Sequence, residues 1–455
     1  MLLQKPAFLL FYHARAAEAS FGEWLGVLWH GLSLDCTVAG YVTAFPVLVV
    51  LASFWIPLSQ RVWRIVLTVY FSLIALVTAA IFAVDLNLYG YWGFRLDGSV
   101  LIYLSDPGEA LASASWGEVL RQILIMLVYA GAMIWSYRWI LRLFRVEPVP
   151  LRGRVVPTVA ALLIGGLTFL AIRGGVTVAT ANVSKVYFSS NMFLNHAATN
   201  PVFSFLSSVG DNENYAEAYP FFEEERRKTL FEELRGNRPG ADAGTPRLLR
   251  SDRPNVVLIL LESFGRTIMD ETVNGEPVMP NMQRFKREGV WFENFFANSF
   301  RTDRGQVAVL CGFPAQTTMS IMKLPRKSAT LPSLARSLSG AGYATCFSYG
   351  GDLNFTNQAS FMYSTGWEEL IWQKDMQLDA PTSKWGYADD VVVDLFGDEV
   401  EALGREEQPF LAGLLTLSSH EPFEVPFAKF DDKLLNAMAF SDAQIGRLID
   451  RLRES

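Results

Sequence analysis

Four polar residues follow apolar runs of the sequence and are of types that can do chemistry together. Glu262 ends the run "NVVLILLES", Thr302 lies between two arginines in "NSFRTDRG", Asp352 follows "CFSYGG", and His420 follows "LLTLSS". Carboxylate, hydroxyl and imidazole groups are the oxygen and nitrogen ligands that a divalent cation takes. A hydroxyl bound to such a cation loses its proton more easily and becomes a nucleophile. The set therefore predicts a metal-assisted site in which Thr302 reacts.

The elements that must position these residues alternate between short apolar runs and amphipathic segments. The runs "NVVLILLES", "VWFENFFANS", "YATCFSYGG" and "PFLAGLLTL" predict strands, and "PNMQRFKREG", "LPSLARSLSGAG" and "DAQIGRLIDRLRES" predict helices. A further helix is predicted to start at Asp389 and Asp390 in "WGYADD". This alternation indicates an α/β domain with a largely parallel sheet. Because sites in such sheets form where strands end, the four polar residues are expected at one edge.

The first part of the chain has a different composition, dominated by Leu, Val, Ala, Ile, Phe and Trp. A helix needs ~20 mostly apolar residues to cross a bilayer. Four segments meet this condition, at residues 37–57, 62–84, 118–140 and 155–172. The fold class predicted for the whole chain is therefore a membrane α-helical part followed by an α/β domain.

The charges of the short loops predict how these four spans are oriented. Arginine is concentrated in the loops after the first and third spans, whereas residues 85–116 are mainly acidic. Because basic loops stay in the cytoplasm, the acidic loop and everything after residue 172 are expected outside. The basic residues of the two loops are Arg61, Arg64, Arg142, Arg145, Arg152 and Arg154.

The composition divides the chain into three predicted regions. Residues 1–175 form a transmembrane domain, 176–250 form juxtamembrane helices and a linker, and 251–455 form an extracytoplasmic catalytic domain. The run "PFFEEERRKTLFEELRG" has an apolar side that predicts an amphipathic helix, either on the membrane surface or packed on the soluble domain. The formal charge of −7 excludes the basic stripe of a nucleic-acid binder.

The motifs, in their order, resemble a known family. "NVVLILLES", "PNMQRFKREGVWFENFFANS", "RTDRG" and "LTLSSHEPF" are similar to lipoteichoic acid synthases and related phosphoglycerol transferases of the alkaline phosphatase and sulfatase superfamily. The run "SFRTDRGQVAVLCGFPAQ" looks most like a Bacteroidetes-type branch. The resemblance implies an enzyme of the bacterial inner membrane that takes a phospholipid headgroup and passes it to a glycan, a lipid or water.

The resemblance also assigns roles to residues of this sequence. Glu262 would be a metal ligand, Thr302 both ligand and nucleophile, and His420 and Asp352 would bind the substrate. Two flanking residues, Arg301 and Arg304, would neutralise phosphate oxygens. The implied cofactor is a divalent metal, with manganese first and magnesium or zinc as alternatives.

The sequence departs from the family at both ends. The family has one more span before these four, and it completes the metal site with an Asp-His pair well beyond the position of His420. No Asp-His dipeptide occurs in this chain, which ends at Ser455. The expectation is therefore of a chain shortened at both termini, with an incomplete metal site.

Four alternatives stay open. A formylglycine sulfatase needs Cys or Ser in C/S-x-P-x-R, and "CGFPAQ" at Cys311 has its proline one place too far and lacks the arginine. A serine hydrolase would use Ser263 of "LESFG" with His420 as base, but Leu261 replaces the first glycine of the G-x-S-x-G motif. A phosphoethanolamine or sulfate-ester member of the superfamily, or a non-catalytic binding module, would also fit these motifs.

Overall fold

The computed structural model describes residues 1–98, 100–103, 116–145, 150–209, 221–235, 249–316 and 319–454. The predicted linker at 236–247 and part of the acidic loop lie outside these ranges. The domain boundaries at 175 and 250 stay predictions.

Four long apolar helices are present in the first part of the chain, as the sequence predicts. After a short helix α1 (Gln4–Phe11), they are α2 (Phe21–Ser53), α3 (Gln60–Trp92), α4 (Trp116–Leu143) and α5 (Val155–Arg173). All four are long and apolar enough to cross a membrane. The first begins at Phe21 rather than at residue 37, because a capping box between Ser20 and Glu23 satisfies the amide groups of its first turn.

The four helices bury polar groups among themselves and expose apolar ones. Lys5 of α1 pairs with Asp35 of α2 at 2.6 Å, and Arg95 pairs with Asp85 of α3 at 3.1 Å. On the outer surface of α4 and α5 the exposed large apolar side chains are leucine, isoleucine, valine, phenylalanine and tryptophan. Such a distribution, with charges inside and an apolar exterior, is typical of a protein in contact with lipid.

The segment after α5 folds back over α2 and α3. It contains a 3₁₀ helix (Val183–Val186), α6 (Met192–Ala198) and α7 (Pro201–Ser208), with asparagine side chains capping all three N-termini. Its apolar residues share one core with α1, α2 and α3. The next helix, α8 (Glu224–Arg235), lies within the predicted amphipathic run, and Phe221, Phe222 and Phe231 are exposed. The position of this helix, on the membrane surface or packed on the soluble domain, stays a prediction.

The C-terminal part has a four-stranded parallel sheet in the order β1-β6-β4-β5. Its strands are β1 (Val256–Leu260), β4 (Ala344–Tyr349), β5 (Glu369–Trp372) and β6 (Phe410–Leu415). A separate two-stranded hairpin joins β2 (Thr272–Val273) to β3 (Glu276–Pro277). The predicted α/β class is confirmed, and β5 is a strand that the sequence analysis did not predict.

Helices cover both faces of the sheet. They are α9 (Pro280–Glu288), α10 (Thr302–Cys311), α11 (Leu334–Gly340), α12 (Gln358–Ser364), α13 (Asp389–Gly404) and α14 (Lys433–Glu454). One-turn helices occur at His13–Ala16, Val100–Tyr103, Arg266–Met269 and Pro325–Ser328, and further 3₁₀ turns at Leu151–Gly153, Ile321–Lys323 and Phe355–Asn357. One core packs α10, α11 and α12 against the sheet, and a second packs α9, α13 and α14 against it.

The prediction of a strand at "VWFENFFANS" is wrong. Residues 290–299 form no strand, and Phe292, Phe295 and Phe296 are more than 70% exposed. A strand exists only through hydrogen bonds to a neighbouring strand, and this segment pairs with none of the described strands. An apolar composition alone therefore did not decide its conformation.

Candidate active site

Parallel pairing places the ends of three strands at one edge of the sheet. Leu260 of β1 is opposite Leu415 of β6, and Leu415 is opposite Tyr349 of β4. The residues that follow these positions include Glu262, Asp352 and the loop that ends at His420. The register thus brings together residues that are far apart in the sequence.

The backbone of Glu262 is fixed to the loop after β6. Its N–H donates to the Thr416 hydroxyl at 2.9 Å, and its carbonyl oxygen accepts from the Ser419 hydroxyl at 2.6 Å. Its carboxylate accepts a hydrogen bond from Ser263 at 3.1 Å and is only partly buried. The backbone of Glu262 is therefore held in place, and its carboxylate remains partly exposed to solvent.

Thr302 touches Glu262 directly. Its hydroxyl oxygen Oγ1 donates to Glu262 Oε2 at 2.8 Å. The threonine is the first residue of α10. The preceding residue, Arg301, is extended, and the helix ends at Gly312 with φ +64°. The partial positive charge of a helix N-terminus therefore surrounds the hydroxyl and favours a bound anion.

The two arginines beside Thr302 have different environments. Arg301 is exposed, whereas Arg304 is buried, with its guanidinium 5.6 Å from the centre of the Phe300 ring. A cation at the surface can meet an incoming anion, and a buried one is held by its packing. Binding of a phosphate by either residue stays a prediction, and the exposure favours Arg301.

Asp352 shapes its own loop. Its Oδ1 accepts from the backbone N–H of Asn354 at 2.9 Å and from the Asn354 amide at 2.8 Å. Burial raises the pKa of Tyr349, the last residue of β4, and the charges of Glu262, Asp352 and Asp389 add to the effect. The three carboxylates therefore lie near the same strand end.

His420 lies against an aromatic ring. Its centroid is 4.3 Å from that of Trp385, and its Nδ1 is 2.8 Å from the carbonyl oxygen of Glu421. A carbonyl oxygen can only accept, so Nδ1 carries the hydrogen, and Nε2 of the neutral ring can accept a hydrogen bond. Trp385 also donates from Nε1 to the Glu421 carbonyl at 2.8 Å. The sequence analysis missed Trp385, which has no signal beyond its aromatic type.

A second missed residue, Asp389, anchors the loop that carries His420. One oxygen of Asp389 accepts from the N–H groups of Leu417 at 2.7 Å and Ser418 at 3.2 Å. The other accepts from the Ser441 hydroxyl at 2.6 Å. Burial raises the pKa of this carboxyl, and these hydrogen bonds oppose the effect. The acidic start of α13, which the sequence predicts, thus joins β6 to α14.

A surface cavity of about 600 Å³ lies beside this loop, lined by residues that include Thr382, Glu424 and Lys433. A narrower depression reaches from it to His420 and Trp385, and the two share Ser383, Ala388 and Glu424. Polar and apolar groups both line the cavity, and His420, Glu262 and Thr302 are not among its lining residues.

The predicted metal site is incomplete in the part of the chain that the structure describes. Among those residues, no group of three or more His, Cys, Asp or Glu side chains is placed to hold an ion. Glu262 and Thr302 offer two oxygens, and a protein-bound divalent ion takes at least four ligands. The described residues therefore do not fit a complete metal site, and the chemistry that follows from them is that of a hydroxyl and a carboxylate.

The serine-hydrolase alternative has one geometric point in its favour and one against it. Ser263 has φ +60°, a left-handed conformation that resembles the strained turn of a nucleophile. However, its hydroxyl donates to the Glu262 carboxylate at 3.1 Å and not to His420. The Ser263–His420 pair that this mechanism needs is not formed.

Comparison with known proteins bears on the same half of the chain. Residues 254–455 match the family model described as Sulfatase. Phosphoglycerol transferase I of Xanthomonas campestris pv. campestris is 34% identical over 227 residues, covering 45% of this chain and 32% of that protein. The match thus spans about a third of the length of that curated relative.

Two solved structures also resemble the chain. A protein in the alkaline phosphatase superfamily from Vibrio parahaemolyticus is 29% identical, with a TM-score of 0.42, covering 46% of this chain and 52% of that one. The lipoteichoic acid synthase LtaP from Listeria monocytogenes is 20% identical, with a TM-score of 0.40, covering 44% of this chain and 52% of that one.

Proposed function

We propose that this chain is a membrane-anchored phosphoglycerol transferase or hydrolase whose nucleophile is Thr302, on the premise that residues 254–455 match the family model described as Sulfatase. The single observation that carries the choice of nucleophile is the 2.8 Å hydrogen bond from Thr302 Oγ1 to Glu262 Oε2. The phosphoglycerol group is proposed because the 34% identical relative is named for its transfer. A phosphoethanolamine or sulfate-ester donor is the alternative within the same superfamily.

The proposed reaction has two steps. In the first, Thr302 Oγ1 attacks the phosphorus of a lipid headgroup while Glu262 Oε2 receives the hydroxyl proton. The bond from phosphorus to the lipid oxygen breaks, and diacylglycerol leaves with the proton that Glu262 received. In the second, an acceptor hydroxyl or water attacks the same phosphorus and gives its proton to Glu262, while the bond to Thr302 breaks and the Thr302 oxygen takes that proton back. A glycan or lipid acceptor makes the protein a transferase, and water makes it a hydrolase.

Two groups beside Thr302 support binding of a tetrahedral anion in this proposal. The N-terminus of α10 favours negative charge, and the exposed Arg301 adds a full positive charge beside it. Because Nδ1 of His420 donates to the Glu421 carbonyl, its Nε2 would accept a hydrogen bond from a hydroxyl of the headgroup. Asp352 would bind hydroxyl groups of the same headgroup as an acceptor.

We retain a divalent cation, with manganese first, as part of the finer proposal. Because the ion would need more ligands than Glu262 and Thr302, its role is tested separately. Transfer is measured after chelation and after adding back Mn²⁺, Mg²⁺ or Zn²⁺. Transfer that survives chelation removes the metal from the proposal.

The proposed location is a bacterial inner membrane, with the sulfatase domain on the outer side. The four apolar helices support a membrane anchor. The arginine-rich loops after α2 and α4 support a cytoplasmic position for those loops. Labelling of single cysteines introduced at Arg61 and at Asp270, from outside intact cells, tests this. Labelling of the cysteine at position 61 together with protection of the cysteine at position 270 would show the opposite topology.

Mass spectrometry of the peptide that contains Thr302 tests the nucleophile. The whole chain is incubated with vesicles whose phospholipids carry glycerophosphate or phosphoethanolamine headgroups, or with a soluble sulfate ester. The expected result is a phosphoglycerol adduct on Thr302 that is lost in Thr302→Ala. An adduct on Ser263 instead would establish the serine alternative, and no adduct with any donor would favour a non-catalytic binding module.

A further inference from the structure

The loop at residues 352–360, which follows β4 and carries Asp352, is bonded to the segment that leaves the membrane part. The Asn182 amide donates to the backbone carbonyl oxygen of Asn354 at 2.7 Å. The Ser184 hydroxyl oxygen accepts from the backbone N–H of Ser360 at 3.0 Å, and both serines are fully buried. These bonds join residues more than 170 positions apart in the sequence.

The other side of the same loop contacts the candidate active site. The Gln306 amide of α10 donates to Gln358 Oε1 at 3.1 Å, and both side chains are buried. The Phe355 ring is 5.6 Å from Trp385, and Trp385 is 4.3 Å from His420. The loop therefore lies between the juxtamembrane segment and two of the elements that carry site residues.

The backbone of the loop requires external support. Thr356 and Asn357 have φ of +54° and +65°, which are left-handed conformations that residues with a Cβ atom seldom adopt. Such conformations persist where surrounding contacts hold them, and they are common at functional sites. The bonds from Asn182, Ser184 and Gln306 are contacts of this kind.

We propose that the segment Asn182–Val186 is a positioning element of the active site, in which Asn182 and Ser184 act through the 352–360 loop on α10, Asp352 and His420. The part of this inference that concerns activity rests on the proposed function. A further pair joins the two halves of the molecule nearby, between Arg326 and Asp97 at 3.2 Å. The site is thereby held at a set orientation to the end of α5, where a lipid headgroup would arrive.

Asn182→Asp separates this role from the folding of the segment. The Asn182 side-chain oxygen caps the 3₁₀ helix at the Ser184 N–H (2.9 Å), and its amide donates to the carbonyl oxygens of Asn354 (2.7 Å) and Thr180 (3.0 Å). Aspartate keeps the capping oxygen and loses the amide donor. Asn191→Asp is the matched control, since the Asn191 oxygen caps α6 at the Phe193 N–H (3.0 Å) and the Asn191 N–H donates to Ser189.

Hydrogen exchange of the whole chain in detergent micelles is the first measurement. We expect amide exchange in residues 354–360 to be about tenfold faster in Asn182→Asp, which corresponds to one lost hydrogen bond, and to be unchanged in Asn191→Asp. Ser184→Ala, which removes the acceptor for Ser360, should act in the same direction. Exchange like that of the wild type in both Asn182→Asp and Ser184→Ala would overturn the inference.

Transfer kinetics with vesicles containing phosphatidylglycerol are the second measurement. Asn182→Asp should lower kcat/KM about tenfold, mainly through KM, because headgroup placement changes and the Thr302 hydroxyl does not. A change in kcat/KM equal to that of Asn191→Asp would contradict the positioning role proposed for Asn182. If the wild type shows no transfer that depends on Thr302, the proposed function fails, and the exchange measurement still decides whether the segment positions the loop.

Discussion

Two carboxylates at the same edge of the sheet have opposite surroundings. Asp389 is 2% exposed and accepts hydrogen bonds from two backbone N–H groups and one hydroxyl. Glu262 is partly exposed, and its carboxylate accepts from two hydroxyls, those of Ser263 and Thr302. The bonds of Asp389 are to groups that cannot leave without unfolding. Those of Glu262 are to side chains that can rotate, so only Glu262 can exchange partners during a reaction.

The largest expected effect is that of Thr302→Ala. Removal of a nucleophile should lower transfer by about 10⁴-fold or more, since other groups cannot replace it. The unfolding free energy should change by less than about 0.5 kcal/mol, because Thr302 is an accessible first helical residue. Headgroup transfer and thermal unfolding in micelles measure the two quantities. Thr302→Ser keeps a hydroxyl and should retain part of the activity, and full activity in Thr302→Ala would refute the assignment.

Glu262→Gln should have the next largest effect on headgroup transfer. The amide keeps one acceptor oxygen but cannot receive the Thr302 proton, so transfer should fall by about 10²–10⁴-fold. Stability should be nearly unchanged, in contrast to Asp389. Glu271→Gln, at an exposed position in the same domain, is the control. Equal activity of the two variants would mean that Glu262 is only a strand-end carboxylate.

Asp389→Ala should act on stability. It leaves two backbone N–H groups and a hydroxyl without their acceptor in a buried place, at a cost of about 3 kcal/mol. Asp390→Ala, in the same first turn of α13 but partly exposed, should change stability by less than about 0.5 kcal/mol. Chemical denaturation of both variants gives the difference. Similar free energies of unfolding for the two variants would contradict the structural role assigned to Asp389.

The comparison of buried and exposed groups extends to His196, a buried base near the four apolar helices. Its effect is measured by the pH dependence of the free energy of unfolding. Burial, followed by the charges of Arg95 and Arg15, lowers the pKa of His196 to about 3. The unfolded chain binds a proton below about pH 6.5 that the folded chain does not, so stability falls as pH drops. From pH 6.5 to 5 the loss should be about 2 kcal/mol.

Thermal unfolding across this pH range, with His196→Gln, isolates the contribution of His196. The variant should lose about 2 kcal/mol less than the wild type on acidification. His13→Gln, at an exposed position, should follow the wild type. An equal acid response in His196→Gln and the wild type would show that the imidazole is not held neutral by burial.

The sequence by itself determined the parts of this protein that depend on local composition. Short stretches of sequence, read without their neighbours in space, contain the apolar runs and caps that predict several elements. These elements are the four apolar helices, the strands β1, β4 and β6, and the helices that start at Pro280 and Asp389. The choice of Glu262 and Thr302 also came from the sequence, through motifs that lie beside those elements. These features need no partner elsewhere in the chain to be recognised.

The tertiary structure alone decided what depends on distant neighbours. The apolar segment at 290–299 forms no strand, while the shorter β5 does, because β4 offers it hydrogen bonds. The ring contact between Trp385 and His420 and the bond from Asn182 to Asn354 join residues far apart in the sequence. Hydrogen bonds and packing act between neighbours in space, and a linear pattern does not state which residues become neighbours.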